Sequence, residues 1–112
     1  MLTLKNIHTA ILWSVIVAWS FFDAALAQSP AVQRGVAFAR TNCAHCHSVD
    51  RYTPSPLKIA PPFRTLHRKY PVESLEEALA EGISTGHPSM PEFRLDPGQI
   101  SDVIAYLKSL EH

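Results

Sequence analysis

The chain has 112 residues, ten Lys plus Arg against ten Asp plus Glu, two cysteines and 46% apolar residues. That length allows one domain at most. A neutral chain with no basic block argues against nucleic-acid binding through phosphate contacts, and balanced charge with frequent apolar residues argues against disorder.

Residues 1–27 stand apart from the rest. They hold 19 of the 52 apolar residues and both tryptophans, with Lys5 and Asp23 as their only Lys, Arg, Asp or Glu. An apolar run from Ala10 to Phe22, broken only by Ser14 and Ser20, lies between Lys5 and Ala25-Leu26-Ala27. The latter is a small-x-small site of the kind that signal peptidase cuts. This pattern predicts an export signal over 1–27 and a mature domain over 28–112. A membrane anchor retained through residues 10–22 is the rival, but this run is shorter than the roughly 20 apolar residues a span needs. A membrane is a partner only if that segment is retained. Either way the remainder is exported, which in a bacterium means the oxidising periplasm.

The exported part poses a stability problem. Domains of this size are marginal and often need a staple. A bridge between Cys43 and Cys46 would close a tiny loop and constrain the unfolded chain little. Something else must fill the core.

All nine prolines fall after residue 27 and divide the mature chain into helical segments joined by long loops. Pro30 to about Thr41 reads as a helix, with Ser29 as cap and Pro30 at the first helical position. Val32, Val36 and Ala39 recur on it at helical spacing. Val49 to Ala60 reads as a loop around Pro54-Ser55-Pro56, and Phe63 to Tyr70 as a short helix. Pro71 to Glu81 is rich in helix formers, places Val72, Leu75 and Leu79 on one face, and stops at Gly82. In the last segment Asp96, Pro97 and Gln99 supply an N-cap, a first-turn proline and a capping-box glutamine. Ile100, Val103, Ile104, Leu107 and Leu110 follow as an apolar stripe. No stretch alternates as a strand. The fold class is all-α, with three main helices.

Cys43-Ala44-His45-Cys46-His47 is C-x-x-C-H, the attachment signal of c-type haem. Two thiols three residues apart can each form a thioether with one vinyl group of a single porphyrin. The tether leaves His47 beside the iron as the proximal ligand. Other readings of C-x-x-C fit less well. A thioredoxin-like motif needs a βαβ pattern, and zinc needs a second ligand pair; both are missing. Chance assembly in a chain of this length is expected less than about once in a thousand.

The iron needs a sixth partner. Met90 is the one methionine after residue 27, in Gly86-His87-Pro88-Ser89-Met90-Pro91. A lone methionine is usually core packing. Here flanking prolines hold the backbone extended and limit the entropy left to lose. His87 is the serious rival. His45 sits inside the attachment loop, and His67 lies in a basic segment that reads as a wet surface. A soft sulfur ligand favours ferrous iron and raises the reduction potential.

With these residues in place, the chain resembles a small class I c-type cytochrome over essentially its whole mature region. The C-x-x-C-H to Met order is highly specific to that group. Gly35, eight residues before Cys43, matches the family's glycine where the first and last helices cross, and Tyr106 matches the aromatic of the last helix. Phe38 stands one residue earlier than the aromatic of mitochondrial homologues, as in many bacterial ones. Ala60-Pro61-Pro62-Phe63 resembles the family's G-P-x-L, with Ala for Gly. The match implies that the Pro61 carbonyl accepts the Nδ1 proton of His47 and fixes its tautomer. A rigid turn at Pro61-Pro62 is the plainer account, and the two are compatible. A ring of lysines around the haem edge, as in the family, is not evident.

The resemblance implies one covalently attached haem c, held by Cys43 and Cys46 with His47 and Met90 on the iron. It implies a non-enzymatic one-electron carrier whose partners are redox proteins: a dehydrogenase, an oxidase or a reductase. Two other functions would use the same haem. One is the electron-accepting subunit of a periplasmic dehydrogenase. The other is an enzyme or gas sensor in which Met90 leaves the iron, for which the chain supplies no distal acid–base group beyond His87.

Overall fold

The computed structural model describes residues 28–84 and 89–112. The expected export signal and His87 lie outside the described residues. Helix α1 (Pro30–Asn42) is followed by a long loop and a 3-10 segment, Phe63–Arg68. A short 3-10 turn, Val72–Ser74, then leads into α2 (Leu75–Glu81), and α3 (Pro97–Ser109) ends the fold. No strand occurs among the described residues, and the domain is all-α. None of its described helices is long and apolar enough to cross a membrane.

The helix ends form for local reasons. The Ser29 hydroxyl accepts the Val32 N–H at 3.3 Å, and Pro30 loses no bond at the first helical position. At α3 the capping box is complete. Asp96 Oδ1 accepts from the Gln99 amide at 2.8 Å, while Gln99 Oε1 accepts from the Asp96 amide at 3.1 Å. The expected stripe Ile100, Val103, Ile104, Leu107 and Leu110 is buried throughout.

Two segments differ from the sequence expectation. The 3-10 segment after Pro62 ends at Arg68, two residues short of Tyr70. Residues 71–81 are not one α-helix: the Ser74 amide bonds the Pro71 carbonyl at 3.0 Å, an i to i+3 bond that tightens the first turn. Val72 is thereby packed into the core beneath α3, only 1% exposed, while Leu75 and Leu79 remain half-buried at its edge.

Helices α1 and α3 cross almost backbone to backbone at Gly35. A Cβ placed there would fall 2.1 Å from the Asp102 carbonyl oxygen and 2.7 Å from Tyr106 Cβ. No side chain fits such a gap. Beside the contact, Arg34 donates two hydrogen bonds to the Asp102 carboxylate, at 2.7 and 2.8 Å. That geometry is the strong, planar form of the ion pair. The pairing holds Asp102 below the usual carboxylate range, through the hydrogen bonds first and the charge of Arg34 second. Below the crossing, Val32, Ala39, Val49, Tyr106 and Leu110 form one buried cluster. The Tyr106 hydroxyl donates to the Val49 carbonyl, which ties α3 to the chain two residues after His47.

Gly35→Leu is expected to destabilise the domain by roughly 3 kcal/mol, the upper end of ordinary overpacking. Thermal unfolding of the purified protein checks this; an unchanged Tm would be incompatible with the crossing described.

Candidate functional site

The residues singled out in the sequence come together around one cavity of about 340 Å³, within the usual range of small-molecule sites. Cys43, Cys46, His47, Pro61 and Met90 all line it. Met90 is half-buried.

The first three arrive on a tight turn that continues α1. The Cys43 amide still bonds the Ala39 carbonyl at 2.8 Å, and the His47 amide bonds the Cys43 carbonyl at 2.9 Å. Both cysteines are half-buried and are not bridged to each other. Burial pushes an unmodified Cys43 thiol up to about 11.

The loop after His47 is built to return at Pro61. The Ser48 amide donates to Ser55 Oγ at 3.0 Å, the Leu57 amide to the Cys46 carbonyl at 3.1 Å, and the Phe63 amide to the Ser48 carbonyl at 2.9 Å. Asp50 opens the loop as a turn. The Thr53 hydroxyl, then the Thr53 and Tyr52 amides, hold its carboxyl at about 2. Arg64 closes the loop from the other side, donating to Ser48 Oγ at 3.0 Å and the Thr53 carbonyl at 2.8 Å. No sequence signal distinguishes Arg64 from the other basic residues of its segment.

These bonds put the Pro61 carbonyl oxygen 2.8 Å from His47 Nδ1. A carbonyl can only accept, so Nδ1 carries the proton and Nε2 keeps its lone pair. The Phe63 ring stands 5.2 Å from the imidazole, tilted by 44°. The ring of His47 is thus held by a hydrogen bond and an aromatic contact.

Met90 lies on the segment between α2 and α3, whose base is closed by two backbone bonds. The Ile83 amide donates to the Phe93 carbonyl at 3.1 Å, and the Leu95 amide to the Leu79 carbonyl at 2.8 Å. The other described histidines stand elsewhere. His45 is exposed, and neither it nor His67 lines the cavity. His67 is half-buried beside the exposed Arg68 and Lys69, in keeping with the surface segment expected.

Beyond these groups the lining is mostly apolar, with Phe38, Leu57, Ile59, Leu75 and Leu79 among its residues and Asn42 and Ser89 as polar exceptions. A hollow of this kind inside a small domain needs an apolar occupant to complete the core. No cluster of His, Cys, Asp and Glu among the described residues could hold a bare metal ion. Two thiols, an imidazole of fixed tautomer and a thioether around an apolar hollow do fit an iron porphyrin.

The family model described as Cytochrome c matches residues 32–111. Comparison with curated proteins and with solved structures gave no match.

Replacing Cys43 and Cys46 together by Ala should abolish covalent pigment and leave little folded protein, since the cavity would lose its tethered filling. Pyridine haemochrome assay and limited proteolysis check this. A protease-resistant, haem-free variant with native helix content would contradict it.

Proposed function

We propose, since this chain belongs to the cytochrome c family, that it is a periplasmic one-electron carrier with His47 and Met90 as the axial ligands of its iron. Its cofactor is haem c, covalently attached, and Cys43 and Cys46 are the residues that would hold it. When bound, the haem supplies an iron that cycles between ferrous and ferric states. The observation that carries the reading is the meeting of His47 and Met90, 43 positions apart, on one apolar cavity with both thiols.

The chain's own residues have separate tasks on this reading. Pro61 keeps the proton on Nδ1 and so reserves Nε2 of His47 for the metal. Phe63 limits rotation of the imidazole. Leu75 and Leu79 are half-buried and help to exclude water, whereas Leu57 and Ile59 stand at the exposed rim; an apolar surround disfavours the extra charge of the ferric state. Met90 acts in the same direction through its soft sulfur. With His47 and Met90 both holding the iron, no coordination site would be left for a substrate, which favours a carrier over an enzyme. Its partners are then redox proteins that give or take one electron at a time.

The export half of the proposal rests on residues 1–27, with their apolar run and Ala25-Leu26-Ala27. Cell fractionation and N-terminal sequencing test it: soluble periplasmic protein beginning at Gln28 is expected. Membrane-bound protein beginning at Met1 would replace the shuttle by an anchored form.

Met90→Ala should retain covalent haem, because attachment depends on the cysteines. It should lose the ferric sulfur-to-iron charge-transfer band, bind carbon monoxide when reduced, and show a potential substantially lowered within the ~0.8 V that axial ligands span. A six-coordinate spectrum and unchanged potential would make a histidine, first of all His87, the ligand.

A further inference from the structure

We infer that Gly82 is a positioning residue for Met90: its backbone geometry sets the direction in which the ligand-bearing segment leaves α2. The inference rests on Met90 being an axial ligand. Gly82 has φ 111° and ψ 104°, and it is the one described residue with positive φ. This lies outside the left-handed helical well that Asn and Asp tolerate, so every L-residue with a Cβ is strongly disfavoured there.

The conformation at Gly82 has a specific structural product. The Gly82 amide still bonds the Ala78 carbonyl at 3.0 Å, as a helix end should. At the next residue the chain has already turned, so that the Ile83 amide meets the Phe93 carbonyl at 3.1 Å. Phe93 follows Met90 by three residues, and two residues further on the Leu95 amide returns to Leu79 of α2. Both ends of the segment carrying Met90 are therefore referred to the last turns of α2, the first through Gly82 and the second through the Leu95–Leu79 bond. Ile83, Phe93 and Leu95 line the same cavity as Met90, so a change at the stem is felt where the sulfur must arrive.

The space above Gly82 is also taken. A Cβ would fall 2.3 Å from Glu92 Oε1. Glu92 is exposed, and a flexible side chain can swing away, so this contact is the lesser obstacle. Backbone strain is the greater one, and it cannot be relieved without redirecting Ile83.

The test compares wild-type holoprotein with Gly82→Ala, Gly82→Asn, Glu92→Ala, the Gly82→Ala/Glu92→Ala double variant and Met90→Ala. Haem content, the ferric charge-transfer band, carbon monoxide binding and midpoint potential are read for each. Gly82→Ala should keep its covalent haem yet lose most of the band, bind carbon monoxide when reduced, and shift in potential towards Met90→Ala. Gly82→Asn should behave as Gly82→Ala does, since its tolerance of the left-handed helical well does not extend to this conformation. Glu92→Ala should resemble wild type and should not rescue the double variant. A Gly82→Ala protein with the band, potential and carbon monoxide inertness of wild type would overturn the inference. Rescue by Glu92→Ala would also overturn it, because side-chain crowding would then be the cause. So would loss of haem-loaded protein in both Gly82 variants, which would make the glycine a determinant of folding instead of ligation. Should Met90→Ala itself match wild type, the ligand assignment fails, and the Gly82 inference fails with it for that separate reason.

Discussion

Everything in this domain is hung from the contact between α1 and α3 at Gly35. The Asp102 carbonyl occupies the space a Cβ would need, so the two backbones touch where ordinary helix pairs are held apart by side chains. Close approach brings the buried faces of both helices into one cluster with Val49 and Leu110. It also fixes the end of α1, and hence the turn that presents Cys43, Cys46 and His47. The Arg34–Asp102 pair lies beside the contact and is partly exposed. Exposed ion pairs contribute little on their own, so this one serves mainly to define the crossing that packing has already created.

The site hangs from that frame by two different sets of described contacts. His47 is held through Pro61 and Phe63, and their loop is closed by Arg64, the Asp50 turn and backbone bonds at both ends. Met90 depends on two backbone bonds at the stem of its segment and on one glycine at the helix end. The imidazole side is thus cross-linked at several points of its loop.

What could be read in the sequence depended on how local its cause was. Ser29, Asp96 and Gln99 act within one turn, and the helix starts they imply are present. The α3 stripe needs only a periodicity, and it too is present. Gly35 and Tyr106 required a family resemblance, because nothing within seven residues of either shows that they meet. The 3-10 turn at Val72–Ser74 was not legible, since both helix types suit those residues and the depth of Val72 in the core decides between them. Arg64 and the Ile83–Phe93 bond were hidden for another reason. One is an ordinary basic residue and the other a main-chain contact, and neither leaves a mark on composition or spacing. Among residues lining the cavity the C-x-x-C-H motif and the methionine stood out in the sequence, while most of what holds them in place did not.

The Arg34–Asp102 pair joins residues 68 positions apart, and Tyr106 reaches back across 57 positions to Val49. Contacts of such long span form late, because the intervening chain must first be gathered in. During synthesis the C-x-x-C-H turn emerges well before α3, the element that completes the wall beside it. For that interval the two thiols stand on a short stretch of chain that nothing has yet covered. The position of the motif along the chain thus leaves a stage at which a pigment could be joined to an open segment before the last helix closes over it.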